Sequence, residues 1–309
     1  EIASCLVGSE MCIRDRYEKA SYDIRLLNAI TARIKIIGGM DISEKRKPQD
    51  GRITLVVDRV EYDIRVSILP TVYGEKCVLR LAQKKALTKD KRELGFTPGE
   101  LESFDRMLKH PNGILLVTGP TGSGKSTTLY TALSELNTED INIITVEDPV
   151  EANLDGVNQV QVNAKADMTF ASALRSILRQ DPDIIMIGEI RDEETAEIAV
   201  QASITGHLVV STLHTNSAAG TITRMLNMGV EGYLLADSVI GVIAQRLVRR
   251  LCPNCKQPHK PTEYERKLLN LDDLDETMIF EAKGCPMCAN TGYKGRIAVY
   301  AVSYTHLRA

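Results

Sequence analysis

At 309 residues and 34.1 kDa, the chain is long enough for about two domains. Hydrophobic residues at 43% and charged residues at 26% fit a globular protein and exclude a disordered or collagen-like one; a net charge of -3 with pI near 6.0 excludes a cationic sheath for nucleic acid. No apolar run approaches the roughly 18 residues that span a bilayer, and the N-terminus lacks the basic-then-apolar order of a signal peptide, so a cytosolic protein is expected.

The chain opens on Glu1 rather than Met, as expected of a fragment. Residues 9–16 and 302–309 resemble translated sequencing-adapter sequence. Residues 1–16 and 302–309 are therefore set aside as non-native, and Cys5, Cys12 and His306 receive no role. Residues 17–83 are expected to form a small α+β domain. Ile24, Leu27, Ile30, Ile34 and Ile37 recur near helical spacing over 22–37, and Gly38-Gly39 ends that helix. From 52 to 69 the pattern changes to strands: Tyr62, Ile64, Val66 and Ile68 alternate with Asp63, Arg65 and Ser67, the period of a strand buried on one face. That alternation turns Arg65 to solvent, and Arg52 follows a turn at Pro48-Gln49-Asp50-Gly51 that exposes it as well. A short strand is expected over 77–81, and the charged run 84–92 suits a linker.

A second domain, 93–301, opens with a capping box: Thr97 can cap, Pro98 fits the first helical position, and Glu100 can reach back. Apolar strands over 114–117, 141–146, 184–187 and 208–210 alternate with helical patterns over 126–136, 170–178 and 193–202. This order predicts an α/β fold with a parallel sheet covered by helices. The apolar stretch 233–248 carries Asp237, Gln245 and Arg246 and reads as a buried helix.

Gly119-Pro120-Thr121-Gly122-Ser123-Gly124-Lys125-Ser126 satisfies G-x-x-x-x-G-K-[ST] between a strand and a helix, the context the motif requires, and Thr127 follows on the helix. Its glycines let backbone N–H groups turn inward around phosphates, at a helix N-terminus of positive potential. Lys125 is placed to neutralise the β- and γ-phosphates of ATP, and the Ser126 hydroxyl to ligate Mg²⁺. Hydrolysis needs acids opposite that loop. Glu147 ends one predicted strand and Glu189 follows another, both at the edge where open α/β sheets bind ligands. One can hold Mg²⁺ through its water shell and the other can orient the attacking water; the residues alone leave open which does which. His207 and His214 bracket the next strand. His214, beside Thr212 and Thr215, is either a structural residue or a γ-phosphate sensor.

Cys252-Pro253-Asn254-Cys255 and Cys285-Pro286-Met287-Cys288 are two C-x-x-C pairs, the spacing of two knuckles closing on one tetrahedral Zn²⁺. In a cytosolic chain a disulfide framework is the weaker explanation. Four thiolates leave no open coordination position, so this metal holds structure, within a subdomain spanning 250–296. Cys77, His110 and His259 have no comparable partners and read as structural.

These motifs together resemble a known family. From about residue 22 to residue 300 the chain is similar to the secretion ATPases of type II secretion and type IV pilus assembly. Besides the phosphate loop, the resemblance rests on Lys47-Pro48-Gln49-Asp50-Gly51-Arg52, Thr145-Val146-Glu147-Asp148-Pro149, Leu178-Arg179-Gln180-Asp181-Pro182-Asp183, Gly188-Glu189-Ile190-Arg191-Asp192, Thr205-Gly206-His207-Leu208 and Ser211-Thr212-Leu213-His214-Thr215-Asn216. It implies a RecA-like ATPase domain, a PAS-like N-terminal module and a zinc-binding tetracysteine subdomain. It makes Glu147 the general base, Glu189 the acid of the Walker B position, and His207 with His214 a histidine box.

The resemblance further implies a homo-hexamer in which Arg52 and Arg65 of one subunit reach the γ-phosphate held by its neighbour. The partners implied are inner-membrane platform and cytoplasmic docking proteins, at the inner face of the cytoplasmic membrane, with no direct nucleic-acid contact. A glycine-then-Glu ending departs from the usual hydrophobic-Asp Walker B form, Asp167-Met168 stands where a Gly-Leu pair is expected, and the further N-terminal docking domain usual in the family is not expected within these residues.

A retraction motor or a conjugation ATPase is the near alternative, against which the cysteine quartet speaks. A non-enzymatic zinc module, with Arg246, Arg249 and Arg250 as its contact patch, is the alternative of another class. Were that patch to bind nucleic acid, affinity would fall steeply with salt.

Overall fold

A computed structural model describes residues 5–12, 15–83, 88–272 and 276–304. Part of each segment set aside as non-native, including His306, part of the 84–92 linker and part of the 250–296 subdomain lie outside the described residues. The chain begins with an antiparallel pair, β1 (Cys5–Cys12) and β2 (Asp15–Asp23). Helix α1 (Leu27–Ile37) and the antiparallel strands β3 (Gln49–Val57), β4 (Val60–Thr71) and β5 (Gly74–Gln83) follow. Ile53, Ile64, Val66 and Ile68 form their core, with Ile34 and Met40 packed against it.

The helix expected over 22–37 starts five residues late. Asp23 still belongs to β2, and its side chain caps a short 3₁₀ turn at Ile24–Leu26. Ile24 and Ile37 are exposed, and the buried positions of α1 are Thr31 and Lys35. Lys35 is buried because its ammonium meets Glu75 at 2.6 Å and the carbonyl of Glu44 at 2.7 Å, which satisfies a charge that could not otherwise leave water.

The remaining elements run α2 (Pro98–Leu108), β6 (Gly113–Thr118), α3 (Lys125–Leu136), β7 (Ile143–Glu147), β8 (Asn158–Gln161), α4 (Phe170–Ile177), β9 (Ile184–Ile187), α5 (Glu193–Ile204), β10 (Leu208–Leu213), α6 (Ala218–Asn227), α7 (Gly232–Ser238) and β11 (Val239–Leu251). They continue through β12 (Gln257–His259), α8 (Glu263–Leu269), β13 (Ile279–Glu281) and β14 (Tyr293–Tyr304). Seven strands make one sheet in the order β14-β11-β6-β10-β9-β7-β8. Its pairings are parallel except β11 with β14.

Every residue of β6, β7, β9 and β10 is buried, as a sheet covered on both faces requires. Alternate residues serve opposite cores: Ile114 and Leu116 of β6 face α4 and α5, while Leu115 and Val117 face α2 and α3. Each such fully buried side chain contributes about 1.5–3 kcal/mol. The capping box at Thr97 is present, with Glu100 N–H donating to the Thr97 hydroxyl. Among the described residues no helix is long and apolar enough to cross a membrane.

The turn expected at 48–51 instead opens β3, and the largest departure from the sequence reading lies further along the chain. Residues 233–248 are not a single buried helix. The stretch is α7 followed by the long strand β11, seated between β6 and β14. A strand buried on both faces loses the alternation that marks strands, and a short apolar run then reads equally as helix. Val239, Ile240, Val242 and Ile243 are β-branched and favour the extended form. At Gly241 a Cβ would stand 2.0 Å from the Met107 sulfur, so any larger residue there would force Met107 to move.

Candidate nucleotide site

The parallel order brings the C-terminal ends of β6, β10, β9 and β7 to one edge, so the phosphate loop, His214, Glu189 and Glu147 follow in sequence along it. Hydrogen bonds tie that edge together. Thr215 N–H donates to Thr118 Oγ1 at 3.1 Å, Thr212 Oγ1 to the Gly188 carbonyl at 2.7 Å, and Gly188 N–H to the Val146 carbonyl at 2.8 Å.

Residues 119–126 wrap the N-terminus of α3. Gly119 sits against β11, where a Cβ would lie 2.4 Å from the Gln245 carbonyl oxygen, and Gly124 takes φ 90° as the helix cap. The Ser123 hydroxyl is buried without a hydrogen-bond partner among the described residues. An orphaned donor inside a loop of this geometry fits an anion. Lys125 Nζ donates to the carbonyls of Gly119 at 3.0 Å and Pro120 at 3.2 Å. Burial pulls its ammonium below the ordinary lysine range, while Glu189 and Glu151 oppose that shift.

A cleft of about 300 Å³ is lined by Thr121, Gly122, Lys125 and Ser126 on one side and by Glu147, Glu189 and His214 on the other. Glu147 is buried; its carboxylate accepts from Thr145 Oγ1 at 2.6 Å, from Gln159 Nε2 at 3.1 Å and from the Tyr130 hydroxyl. Glu189 pairs with Arg191 through one oxygen and stands 3.3 Å from His214 Nε2 through the other. His214 therefore belongs to the cleft. His207 does not: it precedes β10 at the opposite end of the strand, and its Nδ1 lies 2.9 Å from the Ala202 carbonyl.

Arg52 and Arg65 do not line this cleft of their own chain. Arg52 is exposed as expected, but Arg65 is only half-exposed. Register explains why: Arg52, Arg65 and Arg80 face one another across β3, β4 and β5. Arg80 was not singled out from the sequence, although the alternation of β5 places it in that row. Asp63 lies on the face the alternation gave it, away from the Ile64 core, but is buried there beneath Arg52 rather than open to solvent. Tyr130, Gln159 and Gln245 also carried no sequence signal of a role; their contacts come from other strands and helices.

The four cysteines 252, 255, 285 and 288 converge, with all sulfurs within 4.8 Å of one another. The distances are 3.9 Å from Cys252 to Cys285, 3.8 Å from Cys255 to Cys288 and 3.7 Å from Cys285 to Cys288. A tetrahedron with Zn–S bonds of about 2.3 Å has edges of about 3.8 Å, so the donor set fits that ion. Cys288 Sγ also accepts the N–H groups of Cys285 and Gly292, both at 3.2 Å. Two of the three arginines beside this cluster are engaged: Arg246 donates to the Asn216 carbonyl at 2.7 Å, and Arg249 lies 4.1 Å above the Tyr293 ring, while Arg250 is exposed.

Residues 14–308 match the family described as type II/IV secretion system protein. The chain is 52% identical over 276 residues to type II secretion system ATPase E of Vibrio cholerae, a match covering 89% of this chain and 55% of that protein. It is 55% identical over 282 residues to type II secretion system protein E of Pseudomonas aeruginosa, covering 91% and 56%. The chain thus spans about half the length of the curated relatives it matches. The crystal structure of the pilus retraction motor PilT with bound ADP superposes with a TM-score of 0.58 at 29% identity, over 79% of this chain and 73% of that one. The Legionella pneumophila ATPase DotB superposes with a TM-score of 0.66 at 21% identity, over 97% and 76%, a likeness of fold alone.

Proposed function

Because the chain belongs to the type II/IV secretion system protein family, we propose that it is the ATP-hydrolysing part of a motor that drives type II protein secretion or type IV pilus assembly. Relatives named for type II secretion at 52–55% identity favour the first. The observation that carries the reading is the single cleft in which Lys125 and Ser126 face Glu147 and Glu189.

In this reading the loop from Gly119 to Thr127 (Pro120, Thr121, Gly122, Ser123 and Gly124 between) receives the ATP phosphates through its N–H groups, and Lys125 offsets their charge. Ser126, with Glu189 through a water, would hold Mg²⁺, which neutralises charge on the β- and γ-phosphates. Glu147 orients a water and takes its proton as the water oxygen bonds to the γ-phosphorus and the bond to ADP breaks. His214, beside Glu189, reports whether the γ-phosphate is in place.

The chain works as a homo-hexamer. The arginine row containing Arg52 and Arg65 supplies guanidinium to the phosphates of the neighbouring subunit, a task for which a planar, permanently charged fork is suited. Residues 17–83 form the module that carries this row, 84–92 the linker and 93–301 the ATPase domain. Zn²⁺ on Cys252, Cys255, Cys285 and Cys288 closes the 250–296 subdomain and holds structure only. The motor is cytoplasmic, recruited to the inner face of the membrane by platform and docking proteins of its machine. ATP turnover by purified oligomer, abolished by Lys125→Ala with the fold retained, tests the proposal.

A further inference from the structure

Glu147 is held from three directions. Thr145, on its own strand, and Gln159, on β8, both donate to Oε1, and Tyr130 of α3 donates to Oε2. Tyr130 is fully buried, and its oxygen also accepts the N–H of Glu151 at 3.2 Å. One hydroxyl thus joins the carboxylate to the loop that follows it. That hydroxyl belongs to the helix whose first residue is Lys125. Any shift of the phosphate loop that moves α3 therefore moves a donor of Glu147 with it.

We propose that Tyr130 is a positioning residue for ATP hydrolysis, its hydroxyl fixing the Glu147 carboxylate in register with the phosphate loop. The inference rests on the reading of Glu147 as the group that takes the proton from water. Burial, with the Glu147 carboxylate adding to it, pushes the Tyr130 hydroxyl well above the ordinary tyrosine range, so it remains a donor across the working pH. A buried carboxylate deprived of one donor is free to turn toward the remaining two, both of which lie on Oε1. Misplacing a general base forfeits part of the roughly 10²–10⁴-fold it supplies.

The test compares Tyr130→Phe, Glu147→Gln and the double variant in the full chain, with ATP affinity measured alongside turnover. Tyr130→Phe is expected to lower kcat about tenfold, equivalent to about 1.4 kcal/mol, with KM for ATP unchanged. Because Tyr130 acts through Glu147, it should cost nothing further in the Glu147→Gln background, whereas a purely structural role would cost the same in both. Tyr130→Met, which lacks the hydroxyl but fills the space differently, should repeat the pattern if Tyr130→Phe folds poorly. Wild-type kcat in Tyr130→Phe beside a crippled Glu147→Gln would overturn the inference and leave the reading of Glu147 intact, as would equal losses in both backgrounds. Wild-type turnover by Glu147→Gln would instead remove that reading, and this inference with it.

Discussion

Arg52 donates from Nε to the Asp63 carboxylate at 2.6 Å, with half of the arginine side chain exposed and the aspartate almost entirely buried. The pair lies on the face of the small sheet that also carries Arg65 and Arg80, where like charges in direct opposition are unfavourable. Asp63 offsets part of that repulsion and holds one guanidinium in place.

The two arginines should therefore behave differently when removed. Arg52→Ala leaves a buried carboxylate without its partner, so it should lower stability as well as turnover. A loss of about 1 kcal/mol, the scale of a pair exposed on one side, moves the midpoint of a small module by about 4–8 °C. Arg65→Ala should lower turnover strongly with little change in melting or ATP affinity; arginine fingers are worth about 10³–10⁵ in other NTPases. Mixing either variant with Lys125→Ala protein should restore some activity if finger and loop come from different chains. No rescue in demonstrably mixed oligomers would exclude that arrangement.

Metal analysis of reduced, freshly purified protein should find about one zinc per chain. Cys285→Ser, or removal of the metal by chelation, should loosen 250–296 before it affects ATP binding, read as local loss of amide protection. Structural zinc contributes about 10–16 kcal/mol in small peptides, so the loosening should be large. Protein free of zinc would rule out the site.

Glu147→Gln should bind ATP with near-normal affinity and hydrolyse it slowly, because the amide keeps the shape and cannot take a proton. Glu189→Gln should weaken the dependence of turnover on Mg²⁺ and release Arg191, which the Glu189 carboxylate engages. Full activity in the first variant and none in the second would exchange the two roles.

Much of this arrangement is legible in the sequence, for identifiable reasons. The phosphate loop is readable because phosphates demand backbone N–H groups, and hence glycines at fixed offsets. The strands β6, β7, β9 and β10 are readable because sheets covered on both faces need unbroken apolar runs. The same demand hid β11, whose apolar run looks helical until its neighbours β6 and β14 are known. Alternation gave Asp63 the correct face but could not reveal that Arg52 covers it. Tyr130 reads as one more apolar position of α3, since its partner Glu147 lies on another element. Sequence periodicity reports which face a residue occupies; it carries nothing about what stands opposite.

The central claim is that the cleft between Lys125 and the two acids hydrolyses ATP. The measurement that bears on it most directly is steady-state ATP turnover by the wild-type chain and by Lys125→Ala, each checked by thermal melting. Lys125 acts on phosphate charge, and among the described residues its ammonium donates to the carbonyls of Gly119 and Pro120 rather than packing in a core, so the variant should melt as wild type does. The account predicts Mg²⁺-dependent turnover in the wild type and none in the folded variant; equal turnover in both would contradict it.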